Sequence, residues 1–392
     1  MIRHLFKLIW NQKKRNFLLM LEMMISFLVM FAVFTMVVYY YHNYKTPAGI
    51  DYKQVWAISY NNKPDNKDSL PLFYNTIRKH LLSMPQVETV SFATDNYPFS
   101  YSTSATGLNY NGKVVSMIYC YTVENDYAKT LGIKVLSGRW FSKADDATRV
   151  QPVVINETLK NEMFGNEDPL GKKMSNYDLK GQMQVIGVVQ DMKDKSEFTK
   201  PSAGIFFRVD SNSISWMNVI LIKVKAGVDA AFEGKLYKSL SSYMKNANIE
   251  INHLDNQRRE KNRQILVPIV LMMIVGGFLV INVALGLFGV LWYNINKRKG
   301  EIGLRRAVGA PGSSIYKQLL GESLVLATIA SLVGIFFAAQ FPLLNIFNLP
   351  ASTYVFAIVL TTIFIYLLVI VCALYPGKQA AGIYPAVALH ED

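Results

Sequence analysis

The chain has 392 residues, 51% of them hydrophobic and 18% charged, with a formal net charge of +13 at pH 7. Residues 45–263 hold 29 basic and 23 acidic side chains, while the shorter remainder holds 12 basic and 5 acidic. That second excess sits at the ends of apolar runs, where positive charge sets membrane orientation, so the composition argues against nucleic-acid binding.

Four apolar stretches reach the ~20 residues that a helix needs to cross a bilayer: Phe17–Val38, Ile265–Tyr293, Leu319–Phe341 and Tyr354–Tyr375. In chain order, residues 2–10 place Ile2, Leu5, Phe6 and Ile9 on one helical face beside basic residues. Segment 1–16 is therefore expected to be an amphipathic helix on the inner membrane surface. Residues 17–41 form the first expected span. It is expected to be retained rather than cleaved, because it is long, lacks a small-x-small site and runs into Tyr39-Tyr40-Tyr41, a headgroup-belt signature.

Residues 45–263 are long enough for a domain of their own. Val55–Tyr60, Val87–Thr94, Trp216–Val224 and Ile249–His253 read as strands, and Ser69–Ser83 and Val228–Lys245 as helices. The two β-α-β units, over about 50–100 and 213–255, suggest a ferredoxin-like split arrangement. Between them, over about 101–212, short runs such as Val114–Tyr121, Pro152–Ile155, Gln184–Val189 and Gly204–Val209 are separated by Gly and Asn/Asp. These predict a β-rich insert. The expected fold is thus an α+β membrane protein with a 1+3 arrangement of spans and a large extracytoplasmic α/β domain on stalk helices. Span two, residues 264–293, follows the breaker-free charged stretch Leu254–Gln264 and is expected to continue it as a stalk, with Pro268 as a candidate kink.

The basic residues Arg3, Lys7, Lys13, Lys14 and Arg15, and those of segment 294–317, place both termini and that segment in the cytoplasm. Loop Phe341–Thr353 is uncharged. The large domain then lies outside. Spans three and four are 318–341 and 353–375, followed by a cytoplasmic tail, 376–392. The cysteines, Cys120 and Cys372, fall in different compartments, so no disulfide or metal framework is expected.

Segment 296–323, NKRKGEIGLRRAVGAPGSSIYKQLLGES, combines a basic cluster, a short amphipathic helix with Ile302, Leu304, Ala307 and Val308, and a Gly-Ala-Pro-Gly break. A short helix lying along the membrane face is suited to docking into a partner. Glu22, Asn282 and Glu322 are polar residues within the spans. The two glutamates lie near the cytoplasmic end, where pairing with basic residues is in reach. In span three, Ser323, Ala327 and Ser331, and Ala330, Gly334 and Ala338, repeat every four residues. Such small-residue rows allow close helix contact in lipid, within the chain or across a dimer.

The run Gly165–Lys173 imitates a phosphate loop. It has five residues between its glycines instead of four, and no hydroxyl follows Lys172. The histidines, His4, His42, His80, His253 and His390, are scattered without metal-ligand spacing. No catalytic constellation is present in the sequence.

The segment Arg298, Lys299, Gly300, Glu301, Ile302, Gly303, Leu304, Arg305, Arg306, Ala307, Val308, Gly309, Ala310 resembles the coupling region of MacB/FtsX-type ABC transporter permeases, R-x-K-E-I-G-x-R-x-A-x-G-A, with Gly300 inserted. Gly138-Arg139-Trp140-Phe141, the run VVINETLKNEMFGNEDPLGK (153–172), VIGVVQD (185–191) and the tail YPGKQAAGIYPAVALHED (375–392) resemble further strings of that family. The tail departs from the family pattern at Gly377 and His390.

The resemblance implies a permease whose ATPase, with its ATP and Mg, is a separate polypeptide, and a homo- or heterodimer bound to it. It implies mechanotransmission, in which closure of the ATPase moves the outer domain through the stalks. Lys299, Glu301, Ile302, Leu304, Arg305, Arg306, Ala307, Gly309 and Ala310 are then the expected ATPase-coupling residues. The expected setting is the bacterial inner membrane, and the expected role is export, with a periplasmic adaptor and an outer-membrane channel as further partners. Lipoprotein release and regulation of a cell-wall hydrolase are the alternatives within the class. A sensor would need a large cytoplasmic output domain, which no inner segment supplies.

Overall fold

The computed structural model describes residues 13–176, 182–244 and 246–382. The expected surface helix over 2–10 and the tail from residue 383 onward, including His390, lie outside the described residues. In chain order the elements used below are α1 (Lys13–Lys45), β1 (Val55–Tyr60), α2 (Leu70–Leu82), β2 (Val87–Ala93), β3 (Ala105–Tyr110), β4 (Lys113–Val123), β5 (Val135–Gly138) and β6 (Gln151–Asn156). They continue with α3 (Glu157–Phe164), β7 (Lys173–Asn176), β8 (Gln182–Val189), β9 (Gly204–Arg208), β10 (Val219–Val224), α4 (Ala230–Tyr243), β11 (Ile249–His253), α5 (Leu254–Lys297), α6 (Lys299–Ala307), α7 (Gly312–Ala338) and α8 (Ala351–Ala381). Two compact units result: one is Asn43–Ile265, and the other is formed by the flanking segments up to His42 and from Leu266.

In the first unit, strands run in the order β11-β1-β10-β2, all antiparallel, with Ile58 opposite both Ile220 and Ile251. Taken by sequence, this is fourth-first-third-second, the ferredoxin-like split β-α-β order expected from the two repeated units. Helix α2 buries Leu70, Tyr74, Ile77 and Leu81, one stripe at helical spacing, with a proline in its first turn. Helix α4 starts where the Asp229 side chain accepts from the Phe232 N–H at 3.0 Å. It buries Phe232, Leu236 and Leu240. Both helices cover the sheet face that carries Trp56, Ile58, Ile220 and Ile222. The opposite face, with Val55, Ala57, Val219 and Leu221, is covered by Phe99, Tyr127 and Phe206. Burial on both faces explains why β1 opens with four consecutive apolar residues, Val55–Ile58, rather than alternating.

The insert closes on itself. Strand β4 pairs β3, β3 pairs β7, β7 pairs β8, β8 pairs β6, β6 pairs β9, and β9 returns to β4. This ring is a small barrel filled by Leu108, Ile118, Val153, Ile155, Met183, Val185 and Ile205, with Leu159 and Met163 of α3 in the same cluster. Closure pairs each ring strand on both sides, while the exposed strand β5 lies off the ring and pairs only β8. Tyr119–Val123 of β4 lie beside Gly204–Arg208 of β9 in parallel, the pairing that seals the ring. The expected strand at Trp216–Val224 begins later, at Val219. Ile214–Trp216 form a turn of 3-10 helix with Trp216 exposed.

The strings that carry the resemblance in this unit turn out to be structural. The buried Asn156 accepts from Leu159 N at 3.0 Å, capping α3, and from Gly204 N at 2.8 Å, and donates to Ser202 O at 2.8 Å. The imitation phosphate loop runs from a helix into a strand, the reverse of a phosphate-binding turn. Its Lys172 is tied to Glu167 at 2.6 Å. Arg139 donates to both carboxylate oxygens of the buried Asp145, at 2.8 and 2.5 Å, and Ser142 N–H adds a third bond at 2.8 Å.

The Arg139 hydrogen bonds, opposed by burial and helped by Ser142, hold the Asp145 carboxyl at about 2. Its pKa in the folded chain is thus depressed, so its contribution is present above the unfolded value of about 3.9 and is lost as pH falls from about 4 towards 2. We expect Asp145→Asn to lower stability by about 2 kcal/mol at neutral pH and to flatten the acid loss over that window. Urea unfolding of the full chain in detergent, followed by tryptophan fluorescence at several pH values, measures this. Equal acid sensitivity in variant and wild type contradicts it.

Candidate functional site

The second unit contains helices of membrane length. Across the described residues four spans qualify: Leu19–Lys45, Leu254–Lys297, Gly312–Leu343 and Ala351–Ala380. Helix α5 has 44 residues and continues through Pro268. At 1.5 Å per residue that is about 66 Å, roughly twice a bilayer core.

The small-residue row of α7 lies inside this chain's own bundle. Ser323, Ala327, Ala330, Ser331, Gly334 and Ala338 are all buried. At Gly334 a Cβ would stand 2.5 Å from the Phe27 ring of α1. Ser323 bonds back to Leu319 O at 3.1 Å, and Thr328 meets the Tyr366 hydroxyl of α8 at 2.8 Å. Glu22 lies against α5: a Cβ at Gly286 would be 2.8 Å from its carboxylate oxygen. Asn282 donates to Phe278 O of its own helix at 2.8 Å.

Between α5 and α7 sits α6, held by a polar cluster and an apolar plug. Arg298 donates to Glu301 at 3.0 Å and reaches across to Glu322 of α7 at 3.2 Å. Arg305 bonds Glu301 at 2.5 Å and Gln318 at 2.7 Å, and Gln318 donates to Glu322 at 3.1 Å. The Arg298 hydrogen bond, opposed by burial, holds the Glu301 carboxyl below its ordinary range. Glu301 near the helix start and Arg305 and Arg306 in the last turn also suit the helix dipole. Ile302 is buried with Ile295, Ile315, Leu319 and Ala380. Gly309, at φ +94°, turns the chain out of α6 in a conformation that favours glycine. Arg306 donates to Ala310 O at 3.2 Å across that turn.

Of the residues expected to couple to an ATPase, Ile302 therefore points inward and fixes α6. Glu301 and Arg305 join the internal cluster while remaining partly exposed. Ala307 and Gly309 are exposed, and Lys299, Arg306 and Ala310 are half-buried. Leu304 and Val308 face outward, 57% and 82% exposed. Sequence reasoning missed the outward weight of Val308 and the central place of Arg298 and Gln318. The helical spacing of Leu304 and Val308, four apart and opposite Ile302, was the available signal for the first. The tail's departure at Gly377 has a steric basis, since a Cβ there would lie 2.4 Å from the Tyr316 ring.

Four membrane-length helices, a charge-locked short helix between the second and third, and a ferredoxin-like domain with an inserted barrel make up an α+β membrane protein. The model of the MacB-like periplasmic core domain matches residues 17–236, more than half of the chain, and that of the FtsX-like permease C-terminal domain matches residues 272–385. The chain belongs to the MacB-like family of ABC transporter permeases.

It is similar to the macrolide export ATP-binding/permease protein MacB of Neisseria meningitidis, with 26% identity over 324 residues, 75% of this chain and 47% of that protein. The MacB of Bdellovibrio bacteriovorus is 28% identical over 276 residues, covering 65% of this chain and 41% of that protein. The chain thus spans less than half the length of these relatives. Among solved structures it is similar to the periplasmic region of MacB from Actinobacillus actinomycetemcomitans, at 22% identity and TM-score 0.39, covering 54% of this chain and 94% of that one. The extracellular domain of the ABC-type transporter YknZ from Gram-positive bacteria gives 14% identity and TM-score 0.35, covering 50% of this chain and 99% of that one.

Proposed function

We propose that this chain is a non-catalytic membrane subunit that receives the stroke of an ABC ATPase at α6 and relays it along α5 and α1 to the domain at Asn43–Ile265, driving export across the envelope. The observation that carries this reading is the exposed apolar pair Leu304–Val308 on a helix whose other face is locked by Ile302 and the Arg298 cluster. A short helix fixed on one side and apolar on the other can pass on a push without shearing loose. ATP and Mg are bound by the ATPase, and this chain supplies the lever. By the positive-inside bias of residues 294–317, α6 faces the cytoplasm of a bacterial inner membrane and the large domain faces the periplasm. A second permease copy completes the transporter, with an adaptor and an outer-membrane channel as further partners.

Replacing Leu304 and Val308 together by aspartate is expected to lower ATPase co-purification at least tenfold, as loss of two apolar anchors does at a small interface. Hydrogen exchange in β6 and β8 should stay unchanged. Full co-purification with the double variant refutes the docking face.

A further inference from the structure

The ten residues Asp191 to Lys200, which follow β8 and Gln190, read as a charged surface loop (DMKDKSEFTK), yet their first lysine is buried. Lys193 is 1% exposed. Its ammonium donates to Asn43 O and, at 2.8 Å, to Thr46 O at the end of α1, and to Glu197 O at 3.0 Å. Asn43 and Thr46 lie at the C-terminus of α1, where the Asn43 carbonyl also accepts from Thr46 N–H at 3.1 Å and Thr46 Oγ1 at 2.7 Å, and a cation beside these carbonyls suits the negative end of the helix dipole. Two more contacts hold the same place: Asn43 donates to Phe198 O at 3.0 Å, and the Phe198 ring stacks on Tyr44 at 5.3 Å.

The same loop grips the start of α5. The buried Asn262 accepts from Ser196 Oγ at 2.8 Å and from Glu197 N at 3.0 Å, and donates to the Glu197 carboxylate at 2.8 Å. Arg258 pairs with that carboxylate. The other Glu197 oxygen accepts from the Tyr52 hydroxyl at 3.2 Å. At its root the loop is fixed to the barrel, because Asp191 accepts from Thr158 N and Thr158 Oγ1, both at 2.8 Å, at the start of α3. Gly49 packs so closely on Asp191 O that a Cβ would stand 1.9 Å from it.

Both chain crossings out of the Asn43–Ile265 unit occur within α1 and α5, and one loop holds both helix ends. We propose that residues 191–200 are a latch that binds the end of α1, the start of α5 and the barrel into one mechanical body, with Lys193 and Asn262 as its two positioning residues. A partner that moved either helix would then move the barrel with it. That use rests on the function proposed above, whereas the latch itself does not.

The test is hydrogen exchange on the full chain in lipid nanodiscs, with no ATPase present, so it succeeds or fails independently of the docking experiment. Lys193→Met is expected to speed exchange at least tenfold at amides 43–48 and also at the remote amides 258–264. Asn262→Ala is expected to do the same in the opposite direction, with β6 and β8 unchanged in both. Acceleration confined to each variant's own helix end overturns the latch. If the loss of the buried ammonium loosens β6 and β8 as well, Asn262→Ala, which removes no charge, decides alone: acceleration at 43–48 supports the latch, and none there overturns it.

Discussion

Gly334→Leu is expected to be among the most damaging single substitutions in the membrane bundle, costing about 3 kcal/mol or more by overpacking. Even a Cβ at that position would lie 2.5 Å from Cδ1 and 2.8 Å from Cγ of Phe27, a ring with no exposed surface. A ring atom close to its own Cβ cannot swing aside as the tip of a lysine can, so α1 and α7 must separate. Separation breaks the cluster that includes Met23, Phe31, Leu326 and Ala330. The loss is read as a lower thermal midpoint in detergent, with Gly289→Ala as control, since nothing lies within 4 Å of a Cβ there. Adding Phe27→Ala to Gly334→Leu should recover part of the loss, because residues in direct contact couple. A Gly334→Leu chain that melts with the wild type disproves the α1–α7 seam.

Arg298→Gln should have the second large effect, centred on α6. Arg298 and Glu322 are only 19% and 16% exposed. Removing the guanidinium leaves Glu322 and Glu301 on facing helices without their shared cation. A partly buried carboxylate stripped of its partner costs about 2–3 kcal/mol. Glu322→Gln removes one of the two charges, so the double variant Arg298→Gln/Glu322→Gln should be less damaged than the sum of the singles predicts. Exchange at amides 300–308 reports release of α6, and co-purification of the ATPase reports its consequence. Strict additivity would show that Arg298 and Glu322 do not act together.

Both predictions turn on contacts that local pattern could not supply. The spacing of Ser323, Ala327, Ala330, Ser331, Gly334 and Ala338 marked a close seam, but a row of small residues carries no address. Phe27, some three hundred positions earlier in the chain, supplies it. Glu322 was recognisable as a glutamate near a basic segment, yet which of Arg298, Arg305 and Arg306 it would meet depended on how α6 folds back on α7. Arg305 instead takes Gln318 and Glu301, and Arg306 closes the Gly309 turn. Ile302 illustrates the limit best. Inside a coupling motif it reads as a contact residue, while the structure uses it as the plug that holds α6 in place.

The strands of the two β-α-β halves were legible because each is a local event. Val55–Tyr60 is a mostly apolar run and Ile249–His253 opens with alternating isoleucines, and the helices between carry their stripe in the sequence. Strands β3, β5 and β7 were not legible. Ala105–Tyr110, Val135–Gly138 and Lys173–Asn176 are short or polar, and they are extended because neighbours in the barrel offer them hydrogen bonds.

The sequence alone determined four spans, their 1+3 order, two β-α-β halves and a charged short helix, since periodicity and run length are properties of neighbouring residues. Only the tertiary structure decided that the insert closes through β4 and β9, that Val308 looks outward while Ile302 looks in, and that a lysine in a charged loop is buried against the end of the first helix. Each of those outcomes depends on hydrogen-bond partners and packing surfaces that lie tens to hundreds of residues away along the chain, and no local pattern encodes which distant group will be there.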